Sequence, residues 1–293
     1  MNKTTVRKLN RVVYAGIVLA MLCPAICVAQ EKLDYIKILK SGHYDKSEHV
    51  GTVSFQYQNS NDSALVALRN KYKLDSVSGF GNSQSRVLNV MHWVHNTLRH
   101  NGTEESGIKK LNADEILTSA KKRGIGVSCG ELATVLNDCY LALGWSSKKI
   151  YCFPQDSLKN DPDSHVINAV YLPNEEKWIM VDPTNDAYVM DETGALLSIE
   201  EVRERIVNGK PLILNPDANW NRRISMTKEN YLFSYMAKNL YRLYTPVRST
   251  YDYESKAVKN RQYITLAPVG YKDSGSSFPN TIVNNPSLFW SAP

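Results

Sequence analysis

The sequence predicts an α+β fold in which helices pack on an antiparallel sheet. Three observations predict it. Between Ser85 and Leu143, apolar residues recur every three or four positions, the period of a helix with one buried face. From Lys149 the pattern changes to short runs rich in β-branched and aromatic residues, at Ile150–Phe153, Val166–Leu172 and Trp178–Val181. The last two runs are separated only by a turn-forming stretch, Pro173 to Lys177, which makes them an antiparallel hairpin. Helices first and a strand meander after is the order of an α+β domain, not of alternating βαβ units.

The 293-residue chain opens with what reads as an export signal at residues 1–29. Lys3, Arg7, Lys8 and Arg11 make a basic start, an apolar run follows from Val12 to about Ile26, and Cys27-Val28-Ala29 offers small residues for cleavage before Gln30. A membrane anchor needs roughly 20 apolar residues, more than this run supplies. A lipoprotein is the third option, because Leu22 and Ile26 before Cys23 and Cys27 are large for that processing. The expected location is the periplasm or outside the cell. Removing the four leader cations takes the net charge from +6 to +2, so no nucleic-acid partner is expected, and no membrane contact after cleavage. A hydrophobic content of 43% with 22% charged residues excludes a wholly disordered chain, and no repeat of solenoid length is visible.

In order, residues 30–84 read as an N-terminal extension with a strand candidate at Thr52–Tyr57, a helix from Asp62 to Tyr72, and a Gly/Ser/Asn-rich loop at Val77–Gln84. Residues 85–190 read as the core. Its first helix runs from Ser85 to His100 on Val87, Val90, Met91, Val94 and Leu98, and Asn101-Gly102 stops it. Asn112 with Glu115 forms a capping-box pattern for a second helix carrying Ile116, Leu117 and Ala120. A third helix starts near Cys129, after Gly124-Ile125-Gly126, with Leu132, Val135, Leu136, Cys139 and Leu143 on one face. Residues 191–293 read as a Tyr-rich extension packing on the core. Helices are expected at Ile199–Val207 and Lys228–Leu243, a strand at Tyr263–Leu266, and a wandering tail over the last twenty residues.

Cys129 is the candidate nucleophile. A thiolate attacks where a thiol does not, and the unpaired N–H groups and dipole of a helix N-terminus favour the anion. Gly126 and Gly130 leave room for a substrate backbone, and the Cys129 N–H is placed to donate to an oxyanion. His165 opens one hairpin strand and Asp182 closes the other, so both fall at the same end. An even loop makes the paired residue numbers sum to an odd value, which puts both side chains on one face. The carboxylate would then hold the imidazole, leaving its other nitrogen for the thiol.

The segments Arg123–Trp145, Asp163–Pro173 and Trp178–Asp186 resemble the transglutaminase-like superfamily, a circularly rearranged relative of the papain-like fold. That resemblance implies a catalytic cysteine at a helix N-terminus, here Cys129, with His165 and Asp182 completing a triad. Where the family often has an aromatic residue two positions after the histidine, this chain has Ile167. The resemblance also implies a side-chain oxyanion donor upstream of the cysteine. Asn101 and Asn112 are candidates, Asn112 more simply as an N-cap. The implied activity is amide hydrolysis through a thioester, in a peptide or protein substrate, which could be glycan-linked, with no metal or organic cofactor. Transamidation by the same triad, or a peptide- or glycan-binding module without turnover, are the alternatives. The oligomeric state is left open.

Other signals are weaker. His92 and His95 stand three apart on a helix, a spacing that can hold zinc, but no carboxylate lies beside them on that helix face, so solvated or capping roles are preferred for them and for His100. Eight of the 17 tyrosines fall between Tyr231 and Tyr271, which favours packing over a cleft wall. Cys139 and Cys152 either pair or remain buried thiols.

Overall fold

The structure is a computed structural model that describes residues 34–47, 54–156, 158–159, 161–272 and 279–293. The leader assigned to residues 1–29 and the beginning of the expected strand at Thr52–Tyr57 lie outside the described residues; Gln56–Tyr57 forms a two-residue strand beside Arg248–Ser249.

The three core helices are α1 (Ser83–Thr97), α2 (Ala113–Arg123) and α3 (Cys129–Ala142). An additional helix at Ser63–Lys71 matches the expected one, and a short one at Leu74–Ser78 occupies part of the expected loop. The Asn82 side chain accepts from the Ser85 N–H at 2.8 Å, so α1 begins two residues before the expected Ser85. It also ends earlier. From Leu98 the chain is extended, with the Val127 N–H donating to the Arg99 carbonyl at 2.8 Å and the Asn101 N–H donating to the Val127 carbonyl at 2.7 Å. This short parallel bridge, His100 opposite Val127, brings His100 alongside the entry to α3.

Only half of the capping box expected at Asn112 forms. Asn112 accepts from the Glu115 N–H at 2.9 Å, but the Glu115 carboxylate accepts from the Ser119 hydroxyl instead of turning back. The complete box stands at α3, where Ser128 and Glu131 bond reciprocally. From Glu131 to Ala142 every α3 side chain is buried, so this helix is the axis of the fold.

Among the described residues the main sheet has six strands: β1 (Ser147–Phe153), β2 (His165–Leu172), β3 (Lys177–Val181), β4 (Arg242–Pro246), β5 (Tyr263–Leu266) and β6 (Asn280–Val283). Their order is β6-β5-β4-β1-β2-β3, antiparallel except for the β5–β6 pair. One face packs on the helices, through Val170, Leu172, Ile179 and Val181 against Val87, Val90, Met91, Val94, Leu132 and Leu136. The other carries Ile150, Cys152, Ile167, Ala169 and Met180, covered by Ile199, Val202, Tyr231, Leu240 and Phe289. Strands buried on both faces read as nearly continuous apolar runs, which is how these three appear in the sequence.

Two C-terminal expectations need correction. The helix expected over Lys228–Leu243 is a π-helical segment, Glu229–Met236, followed by one short turn, and Leu243 lies in β4, paired with Cys152. Around Leu243 the side chains alternate across the sheet, and Tyr244 stacks on Tyr151 with centroids 4.4 Å apart. The last twenty residues do not simply wander. Asn280–Val283 adds the edge strand, and the Pro286–Phe289 turn of helix buries Phe289 completely. The helix at Tyr35–Ser41, which buries Leu39, carries no strong periodic signal because it is only two turns long. Cys139 and Cys152 are free thiols in the two separate clusters, on opposite faces of the sheet, so they do not pair.

Candidate active site

The β2–β3 hairpin has the expected register. Asn168 pairs with Val181 and Leu172 with Lys177, each pair summing to an odd number across the four-residue connection 173–176. By this register His165 and Asp182 share a face. The His165 Nε2 and Asp182 Oδ2 atoms are 2.7 Å apart, with both residues almost fully buried. Asp182 is the best-satisfied acceptor of the site. Oδ2 also accepts from the Tyr231 hydroxyl at 2.8 Å and the Asn185 amide at 2.9 Å, and Oδ1 accepts from the Thr184 N–H at 2.8 Å and the Asn185 N–H at 3.2 Å.

These contacts fix the charge states. Burial alone would push the Asp182 carboxyl up, but the positive charge and hydrogen bond of His165, with the Asn185 and Tyr231 donors, hold it at about 2. Burial likewise opposes protonation of His165, and the Asp182 charge and hydrogen bond override it, raising the imidazole to about 10. Because Nε2 is engaged by Asp182, Nδ1 is the nitrogen left for Cys129, with which His165 shares a hydrogen bond.

Cys129 is the first residue of α3 and is half-buried. Burial would raise its thiol, but hydrogen bonds from His100 and His165, with the positive charge of His165, lower it to about 6. Cys139 and Cys152, fully buried without such donors, are both raised well above an ordinary thiol. The three thiols are therefore differentiated as nucleophiles, and at neutral pH only Cys129 is anionic.

The sequence did not single out His100 for this position. It meets the sulfur because the chain leaves α1 at Thr97 and runs beside Val127. Gly126 permits that approach: a Cβ there would lie 2.6 Å from the Asn101 Cβ and 3.2 Å from the Arg99 carbonyl, so this glycine serves chain crossing and not substrate access. Asn101 and Asn112 are committed elsewhere. Asn101 accepts from the Thr103 N–H and donates to Glu104, and Asn112 caps α2. Tyr231 and Tyr235 were also hidden in a run read as packing. Tyr231 holds Asp182, and the Tyr235 ring lies 5.1 Å from the His165 ring. Their spacing of four was the only signal, and it is shared by any packed helix. Tyr251 and Tyr253 lie elsewhere, bonded to Asn112 and to the Gln262 N–H.

His92 and His95 are not simply solvated. His92 Nδ1 is 2.6 Å from Asp186 Oδ1, and buried His95 sits 3.0 Å from both the Pro183 carbonyl and the Asn219 side-chain oxygen. Among the described residues, no group of three or more His, Cys, Asp and Glu side chains is arranged to hold a metal ion.

The family model of the Transglutaminase-like superfamily matches residues 70–183, a span that contains Cys129, His165 and Asp182. No curated protein matches the chain. Among solved structures, a candidate cysteine protease from Cytophaga hutchinsonii is similar at 16% identity, covering 61% of this chain and 59% of its own, with a TM-score of 0.32. A candidate protease from Parabacteroides distasonis is similar at 17% identity, covering 46% of this chain and 30% of its own, with a TM-score of 0.27. This chain thus spans less than two thirds of the length of either. Residues 70–183, which match the Transglutaminase-like superfamily model, thus hold the three core helices and the β1–β3 strands that position Cys129, His165 and Asp182.

Proposed function

We propose that the protein is an exported cysteine-dependent amide hydrolase acting on a peptide or protein through Cys129, His165 and Asp182. The observation that carries this reading is one half-buried thiol with a lowered pKa, at a helix start, next to an imidazole whose far nitrogen is bonded at 2.7 Å to a buried carboxylate. An open groove of about 950 Å³, lined in part by Trp93, Arg99, Lys121, Ile125 and Arg222, has the volume of a ligand site, and none of Cys129, His165 and Asp182 lines it.

In this reading the Cys129 thiolate attacks the amide carbon, and the carbonyl electron pair moves to oxygen. The Cys129 N–H, unpaired at the helix terminus, donates to that oxyanion. The oxyanion collapses, the C–N bond breaks, and His165 gives its Nδ1 proton to the leaving amine. This leaves a thioester and a neutral imidazole. His165 then takes a proton from water as its oxygen attacks the thioester. The thiolate leaves, a carboxylic acid is released, and the thiolate–imidazolium pair is restored. Asp182 stays ionised throughout and holds the ring.

The test is turnover of a quenched-fluorescence peptide library by residues 30–293, with a primary amine such as dansyl-cadaverine present in parallel. Release of new carboxyl termini by the wild type, lost in Cys129→Ala at unchanged melting temperature, supports the hydrolase. Incorporation of the amine without cleavage would favour a transamidase. No turnover, with iodoacetamide labelling of Cys129 as slow as that of Cys139 and Cys152, would leave a binding module.

A further inference from the structure

Cys129 has a second imidazole neighbour, and that ring is held by residues outside the matched segment. Between Asn219 and Ser225 the chain makes a small hairpin in which Asn219 pairs with Ser225 and Trp220 with Ile224. Its tip residues Asn221 and Arg222 have φ of 54° and 58°, the left-handed region that a tight turn of this hand requires. Three side chains of this hairpin reach the site. The Asn221 oxygen accepts from the His100 N–H at 2.7 Å and its amide donates to the His100 carbonyl at 3.0 Å, so the His100 backbone is gripped at both ends. The Trp220 indole N–H donates to His100 Nδ1 at 2.9 Å, with the rings edge to face, 6.1 Å between centroids. Asn219 donates its N–H to the Asn185 carbonyl at 2.8 Å and meets His95, which in turn meets the Pro183 carbonyl.

The Trp220 contact fixes a proton. An indole N–H is a donor only, so the Nδ1 it meets must be the acceptor. A histidine that accepts at Nδ1 is neutral and carries its proton on Nε2. We infer that the Asn219–Ser225 hairpin is a positioning element for the nucleophile: Trp220 locks His100 as the neutral Nε2–H tautomer, which donates a hydrogen bond to the Cys129 sulfur. The two imidazoles at the sulfur then differ in kind. His165, backed by a carboxylate, accepts and returns the proton. His100, backed by a donor, cannot take a second proton without losing the Trp220 bond, and so acts as a fixed dipole toward the thiolate. The titratable groups coupled electrostatically to the sulfur are His100 beside Val127, His165 on β2, Cys152 on β1 and Tyr235 on the π-helical segment. Of these, only the two histidines donate to it. The same hairpin touches the loop after Asp182 through Asn219, so one element adjusts both sides of the site.

This inference rests on Cys129 being the nucleophile for its consequence, but its core statement, the tautomer, is testable without turnover. The experiment is long-range ¹H–¹⁵N NMR on ¹⁵N-histidine-labelled protein at pH 7–8, with His100 assigned through His100→Gln, alongside the iodoacetamide rate at Cys129. The expected spectrum shows His100 neutral, with Nε2 protonated and Nδ1 not. In Trp220→Phe, which keeps an aromatic ring but no donor, a population with protonated Nδ1 grows in and Cys129 alkylation at neutral pH slows several-fold. His100→Gln, which retains an N–H donor, keeps more of the rate than His100→Ala. An Nδ1–H or doubly protonated His100 in the wild type, or a Trp220→Phe spectrum and rate identical to wild type, overturns the inference. Failure of the enzymatic reading looks different: slow wild-type Cys129 labelling with the His100 tautomer intact.

Discussion

Asp182 shows why single side chains dominate this site. A carboxylate at zero exposure is costly unless its lone pairs are filled, and here five donors converge on it. Asp182→Asn would turn an amide N–H₂ toward donors. We predict a stability loss of about 1–3 kcal/mol, measured by chemical denaturation. Turnover should fall about 10²-fold or more, because His165 loses both its orientation and its charge partner. Tyr231→Phe removes one donor of the five and should cost a similar stability, with a smaller loss of turnover. Cys129, His165 and Asp182 were legible because their evidence is local: a helix start, two strand ends and the parity of a short loop. His100, Asn185 and Tyr231 were not. His100 was hidden by an apparent helix running to residue 100, Asn185 by a turn, and Tyr231 by 49 residues of intervening chain.

At the scale of elements, the Ser128–Glu131 box does two jobs, because the helix it caps begins with the candidate nucleophile. Ser128→Ala should cost about 0.5–2 kcal/mol in thermal or chemical unfolding. It should also slow Cys129 alkylation by loosening the first turn. Asn112→Ala, a cap of the same kind on α2, should cost about as much and leave Cys129 reactivity unchanged. Equal effects on alkylation from both would separate the cap from the thiol. The long periodic helices and the three central strands were readable because period and length agree. Glu229–Met236 was not. Its eight residues are too few for the wider π-helical period to be told from the α-helical one, and the switch to strand at Arg242 follows from pairing with β1, a contact about 90 residues away in sequence.

For the whole molecule, the decisive feature is a sheet buried on both faces. Helices alone would leave Ile150, Ile167, Ala169 and Met180 exposed, and the C-terminal segment covers them. Its Ser-, Asn- and Pro-rich composition concealed this role, since composition does not show that Val283 and Phe289 are inserted. Phe289→Ala should cost about 3–5 kcal/mol in denaturant unfolding, as should loss of a core helix residue such as Leu136 within about 2–5 kcal/mol. With Cys139 and Cys152 on opposite faces, intact mass should not change on reduction, and neither thiol should react until the protein unfolds. What this architecture does for Cys129 is measured most directly by its alkylation rate as a function of pH in the folded wild type. Below its pKa the thiol is protonated and slow, and above it the thiolate is fast. The account predicts an inflection at about 6, moving up toward the ordinary thiol range near 8.5 in His165→Ala. A wild-type inflection already in that ordinary range, unmoved by His165→Ala, would contradict it.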